Sequence, residues 1–380
     1  MSRSSSQKYD SDHDQARSVR DSGIMLGDLF DELIWPRVLR APALALAPGR
    51  VLSGCVGVFL VTLIVRLYQF LRSPGGESAP HETLSDSPAA DLVRSALDAV
   101  AVLDPIGLGL VVVDASTLLR NFVMHNPLIS ILLGIPIVGI AALVGGTISR
   151  SVGFEFALGR FATRGETLHF TLRRARQFVG AAILPVIFCI IIFMLISLGG
   201  LLLSMPVLDV AGSLLYGLGL ALGTLATLVL VLHVVAAPLL VPAMAIEGTD
   251  AFDAIQRSYA YVIGRPLRYL IYVVILTLLG TLAAVLFAMI ARLSIDMTDW
   301  AVNYMDFDAT ERALHGEGEM GATKQLAHRF IEFWRSIVEL VIAGYIVSLF
   351  FTSSTLLYLG VRRICDGQGI NEIWEPVNHD

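Results

Sequence analysis

PLLVPAMAIEGTDAFDAIQRSYAYVIGRPLRYLI, residues Pro238 to Ile271, closes one apolar run, crosses a short polar segment and opens another. Thr249 or Asp250 is a candidate N-cap. Phe252, Ile255, Tyr259 and Val262 follow at three- and four-residue spacing, which predicts an amphipathic helix lying on a membrane surface. Gly264 ends that helix, and Pro266 lets the chain turn into the bilayer at Tyr269. A hairpin whose two arms are this apolar needs lipid as its solvent.

The rest of the chain agrees. Of 380 residues, 55% are hydrophobic and 16% charged, with mean hydropathy +0.70, whereas a soluble domain is about a quarter charged. Runs at 51–71, 128–148, 178–203, 210–235, 269–291 and 337–359 each reach the roughly 20 apolar residues that cross the hydrocarbon. The fold class is therefore all-α: a polytopic membrane helical bundle of about six transmembrane helices with cytoplasmic interfacial amphipathic helices. Residues 1–22, rich in Ser, Asp and Arg, read as a disordered cytoplasmic tail. In 23–49, Leu26, Leu29, Phe30, Leu33 and Ile34 share one face until Pro36, which predicts an interfacial helix. Residues 50–363 form the membrane domain and 364–380 a second cytoplasmic tail. No cleavable signal precedes Val51, so the first span serves as the anchor.

Orientation follows from charge. Lys and Arg gather in the head, in the second loop (Arg150, Arg160, Arg164, Arg173, Arg174, Arg176), in the fourth (Arg257, Arg265, Arg268) and at Arg362 and Arg363. By the positive-inside rule both termini are cytoplasmic. The two long outer loops are acidic, but no calcium-loop spacing occurs in them, so they read as solvated. Leu92, Val93, Ala96, Leu97 and Val100 have helical spacing, and 106–113 is apolar but too short to span. Trp300, Tyr304 and Trp334 suit an outer aromatic belt.

A net charge of −6 gives no footprint for nucleic acid, and no glycine-rich phosphate loop is present. Cys55, Cys189 and Cys365 are scattered, and neither HExxH nor GxSxG occurs. No cofactor, metal or catalytic set is expected, and the chain reads as a non-enzyme.

GETLHFTLRRARQFVG from Gly165 aligns with GTDAFDAIQRSYAYVIG from Gly248, placing Arg174 on Arg257 and Phe178 on Tyr261. The simplest description is an internal repeat of three hairpins, each with a surface helix, an outward span, a loop and a return span. Repeats of this kind occur in transporters. Ionisable groups inside spans are functional candidates by default, and here they are Arg66, His233 and Glu339. Arg66 can snorkel, Glu339 has Arg335 one turn away, and His233 suits a hydrogen bond to a neighbouring helix. Pro136 and Pro185 lie inside spans, whereas Pro238 and Pro242 read as the end of theirs. Ala141, Gly145 and Ser149, and Gly219, Gly223 and Thr227, make small-residue faces for packing within the bundle or in a homo-oligomer.

Pro242, Glu247, Gly248, Ala254, Arg257, Ser258 and Tyr261 together resemble the recurring cytoplasmic loop of bacterial multi-pass proteins related to the membrane domain of glycerophosphoryl diester phosphodiesterases. The tail YLGVRRICDGQGINEIW from Tyr358 is similar to the end of such proteins. The resemblance covers 241–270 and 358–374 and implies a membrane module of the bacterial inner membrane without catalysis. The phosphodiesterase domain has no counterpart in this sequence. Read physically, Glu247, Arg257, Ser258 and Arg265 form a structural clamp or a site for anionic lipid headgroups or a protein partner. The leading expectation is a scaffold or lipid- and partner-binding module; the alternative is a permease or lipid transporter with His233 and Glu339 on its path.

Overall fold

The structure, a computed structural model, describes residues 38–72, a few positions between 95 and 125, and residues 127–203, 209–304, 322–369 and 371–374. The tail and most of the interfacial helix expected in 1–37, the helical and apolar stretches expected in 73–126 and the acidic loop at 305–321 lie outside the described residues, apart from those few positions. The chain divides into Met1–Val38 and Leu39–Asp380, and the helical bundle belongs to the second unit.

Among the described residues there is helix and no strand. The helices are α1 (Ala41–Ala45), α2 (Pro48–Arg72), α3 (Pro127–Leu158), α4 (Arg164–Arg173), α5 (Ala175–Leu203), α6 (Asp209–Glu247), α7 (Ala251–Gly264), α8 (Pro266–Asn303) and α9 (Ala322–Asp366). Six of them, α2, α3, α5, α6, α8 and α9, are long and apolar enough to cross a membrane, and the protein is a multi-pass membrane protein. In lipid a lone backbone polar group has no water to turn to, so spanning segments close their hydrogen bonds within the helix.

The centre of the bundle is α9, which packs against α1, α2, α3, α6, α7 and α8. Its stretch from Leu356 to Arg362 is buried on every side. The hydroxyl residues Ser348, Thr352, Ser354 and Thr355 are buried in it as well. Thr355 satisfies its hydroxyl locally by donating to the Phe351 carbonyl at 2.7 Å, a back-bond open to Ser and Thr inside helices.

Close approach at α9 depends on missing side chains. A Cβ on Gly54 would lie 2.1 Å from the Gly344 carbonyl oxygen, and one on Gly145 would lie 2.2 Å from the Phe351 ring. Gly145 is thus an internal contact of α3 with α9 and Ser149 is buried, whereas Ala141 on the same face is exposed. Gly219 and Gly223 meet only Ile196 of α5, at 3.9 and 3.8 Å.

One sequence expectation changes. Pro238 and Pro242 do not end their span, because α6 continues through both to Glu247. A proline removes one rung of the helix ladder and loosens its neighbours, and a side chain from the next helix inserts there: Tyr269 Oη donates to the Val235 carbonyl, three residues before Pro238, at 2.5 Å. The described part of 23–49 is the short helix α1, whose Ala45 is buried against Tyr345 and Leu349 of α9 and accepts from Ser348 Oγ at 2.7 Å. It packs against α8 and α9, whereas Leu26, Leu29, Phe30, Leu33 and Ile34, which carry the expected interfacial helix, lie outside the described residues.

Candidate functional site

Three of the long helices, α3, α6 and α9, end in a glycine with positive φ: Gly159 at 67°, Gly248 at 61° and Gly367 at 67°. That conformation closes a helix C-terminus and suits glycine. The first two ends lead into short capped helices. Thr163 accepts from the Glu166 amide ahead of α4, and Asp250 accepts from the Asp253 amide at 2.9 Å ahead of α7. The cap of α7 is therefore Asp250. Its buried face consists of Ala251, Ala254, Ser258, Tyr261 and Val262, while Phe252 points outward. The inward face is thus one step round from the predicted Phe252–Ile255–Tyr259–Val262 stripe, with Val262 common to both.

Glu247 is the last residue of α6 and not a turn residue. A carboxylate at the negative end of a helix dipole is unfavourable unless neutralised. Here its Oε2 accepts from Arg257 Nη1 and its Oε1 from Tyr358 Oη, with Arg362 Nε at 3.5 Å from Oε1. One carboxylate so joins α6, α7 and α9. Tyr261 Oη donates to Asp366 Oδ2, and its ring lies 5.9 Å from that of Tyr358. Burial and then the Asp366 hydrogen bond push the Tyr261 phenol well above its ordinary value, so it stays a donor. For Arg257, burial works against the charge, but Glu247 together with Tyr358, Tyr261 and Asp366 outweighs it and raises its pKa. Tyr261→Phe should cost about 1.5–3 kcal/mol, the range for a hydrogen bond to a charged group, read as a lower melting temperature.

A second set of arginines holds the chain behind α9. Arg150 donates to the carbonyls of Ala245 at 2.8 Å and Trp374 at 2.9 Å, with its guanidinium 3.9 Å from the centre of the Phe170 ring. Arg174 donates to the Gly248 carbonyl and lies over Trp374 at 4.8 Å. The Trp374 amide donates to the Ile246 carbonyl at 3.0 Å. Arg50 pairs with Glu155 and donates to Ser151 Oγ at 3.2 Å. Arg174 and Arg257, aligned in sequence, thus converge on the same turn, Glu247–Gly248.

Of the four clamp candidates, Glu247 and Arg257 are bonded together, Ser258 is fully buried beside them on α7, and Arg265 is exposed at the α7–α8 joint. His233 is tied to two neighbours: its Nε2 is 3.1 Å from the Ala182 carbonyl and must donate, so Nδ1 accepts from Tyr259 Oη at 3.1 Å. Burial pushes the Tyr259 phenol up to about 12, which keeps that proton in place. Ala182 is three residues before Pro185, the same arrangement as Val235 and Pro238. Glu339 and Arg66 are exposed. Arg335, expected to pair with Glu339, bonds Asp299 of α8 at 2.7 Å and lies 3.7 Å from Glu332.

Sequence reasoning missed Tyr358, Arg362 and Trp374 as partners of the clamp. The signal was available, since Tyr358, Arg362 and Asp366 are spaced by one helical turn each. No group of three or more His, Cys, Asp or Glu that could hold a metal ion occurs among the described residues. No family model, curated protein or solved structure matches the chain.

Proposed function

We propose that this protein is a non-enzymatic membrane scaffold whose arginine-rich end faces the cytoplasm of a bacterial inner membrane and binds anionic lipid headgroups. One observation carries the reading. The arginines at that end divide into two sets: Arg50, Arg150, Arg174, Arg257 and Arg362 are spent on internal bonds, while Arg173, Arg176, Arg265 and Arg363 are exposed. Arg173 on α4 and Arg265 at the α7–α8 joint share those elements with exposed apolar side chains, Leu168 and Leu172 on α4 and Ile263 and Leu267 at the joint, while Arg176 stands at the start of α5 and Arg363 near the end of α9. Basic and apolar side chains on one surface suit a helix seated at a charged leaflet, where each basic residue is worth about 1 kcal/mol.

The internal bonds then serve to hold the binding helices. Glu247, Arg257 and Tyr261, which carry the resemblance to the phosphodiesterase membrane domain, are the residues that fix α7 to α6 and α9. A repeat of three hairpins is supported by the three left-handed glycines and the two capped helices. A permease would need His233 and Glu339 on a shared path, yet both His233 nitrogens are occupied and Glu339 is on an exposed face.

The test compares melting temperatures of the purified protein in detergent with added phosphatidylglycerol or phosphatidylcholine, since a ligand that binds the folded state raises stability by mass action. Phosphatidylglycerol is expected to stabilise the native chain by several degrees more than phosphatidylcholine. The Arg173→Gln/Arg176→Gln/Arg265→Gln variant should lose most of that difference. Equal shifts with both lipids would count against the reading.

A further inference from the structure

Side chains at Ser348, Thr352, Thr355, Tyr358 and Arg362 are spaced by four, three, three and four residues, so they share one broad face of α9. That face runs the 14 residues from Ser348 to Arg362, about 21 Å at the helix rise, and every member is buried. A continuous polar stripe on the helix at the centre of a membrane bundle is unusual, because ordinary packing would fill it with apolar side chains. Three of the five have a protein partner for every polar side-chain atom: Ser348 with Ala45, Thr355 with Phe351, and Tyr358 with Glu247; Arg362 bonds Gln368 through Nε and the Glu372 carbonyl through Nη2 at 2.8 Å.

The other two are incomplete. Thr352 Oγ1 and Arg362 Nη1 have no hydrogen-bond partner among the described residues. Ser149 Oγ on α3 and Ser258 Oγ on α7, helices that both pack on α9, are in the same condition. These are not surface groups turned to solvent. Thr352, Ser149 and Ser258 are 0% exposed and Arg362 is 4% exposed.

Buried polar groups in folded proteins nearly always find a partner, in protein or in ordered water. The chemistry of the four groups selects the partner. Arg362 Nη1 can only donate, and its charge would repel a cation. An anion would face the carboxylates of Glu247, 3.5 Å from Arg362 Nε, and Asp366, one turn further along the same helix. Three hydroxyls that both donate and accept, plus one donor, are matched by a molecule that does both.

We infer that the polar stripe of α9 is hydrated: ordered water molecules bind at Thr352, Ser149, Ser258 and Arg362, making a wet seam that enters the bundle from its arginine-rich end. The seam gives water and small polar solutes a route towards the middle of a protein whose other faces are lipid-exposed. It requires neither His233 nor Glu339.

Thiol chemistry reads hydration directly, because only the thiolate reacts and it forms only where water reaches. In a chain carrying Cys55→Ala, Cys189→Ala and Cys365→Ala, the single variants Thr352→Cys, Thr355→Cys, Leu349→Cys and Leu356→Cys are treated with a small hydrophilic methanethiosulfonate in lipid vesicles. Thr352→Cys and Thr355→Cys should react at least ten times faster than Leu349→Cys and Leu356→Cys, which are equally buried but off the stripe. Equal rates at all four positions would overturn the inference. A second readout needs no cysteine. Thr352→Val and Ser258→Ala in the otherwise native chain should lower the melting temperature, because a bound water loses a partner. If the sites are dry, deleting an unpartnered hydroxyl raises the melting temperature, and that result would equally overturn it.

Discussion

Glu247→Ala should be among the most damaging single substitutions in the chain, at about 3–5 kcal/mol of stability, the usual cost of stripping the partner from a buried charge. The cost arises at Arg362 more than at Arg257. The Arg362 side chain is 5% exposed and regains little solvation when its carboxylate goes, whereas Arg257 is 40% exposed and can turn to bulk water. Tyr358 Oη also loses its acceptor inside the bundle. Arg257→Gln should accordingly be much milder than Arg362→Gln. Thermal or denaturant unfolding of the three purified variants gives the order Glu247→Ala and Arg362→Gln together, with Arg257→Gln well above them. If Arg257→Gln were as damaging as Glu247→Ala, the exposed pair would be the one that matters and the buried hub would be wrong.

Gly54→Val should be comparably severe, for a steric reason with no electrostatic part. A Cβ at that position would lie 2.1 Å from the Gly344 carbonyl oxygen and 3.0 Å from its Cα. Both atoms belong to backbone, so no rotamer change relieves the clash and α2 must move away from α9. Overpacking a tight contact costs about 1–3 kcal/mol. The upper end applies here, since the two helices also share the wedge of Ala45, Tyr345 and Val51. Gly134→Val on α3 is the control, because nothing lies within 4 Å of a Cβ there. A melting temperature for Gly54→Val matching that of Gly134→Val would show that α2 and α9 do not make this contact.

Much of the architecture was legible because lipid leaves few choices. Runs of about 20 apolar residues in a chain this poor in charge can only span, and each predicted span lies within an observed helix. The short helix at 251–264 was legible from its cap and its following Gly–Arg–Pro. The extents were not. Proline is read from sequence as a stop, but the helix continues through Pro238 and Pro242, and no local pattern announces the tyrosine at 269 that donates to the Val235 carbonyl beside the first of them. The centre of the fold was also hidden. The last span, with its serines and threonines, has lower hydropathy than the other five, which suits a helix shielded from lipid, but hydropathy alone does not say that α1, α2, α3, α6, α7 and α8 all gather around it. The clamp was half visible: Glu247 and Arg257 stand close in sequence, whereas Tyr358 and Arg362 reach them only through the fold. Arg335 shows the same limit, since the nearest carboxylates in sequence do not include the one on α8 that it bonds.

The most direct test of the central claim, that the exposed basic and apolar surface touches anionic headgroups, is photocrosslinking from Leu267. Its side chain is 74% exposed and stands between Arg265 and Arg268. With a benzophenone amino acid at Leu267 and vesicles of equal phosphatidylglycerol and phosphatidylcholine, mass spectrometry of the irradiated protein should show phosphatidylglycerol adducts in clear excess. Adducts of the two lipids in equal amounts, or crosslinks within the protein alone, would contradict it.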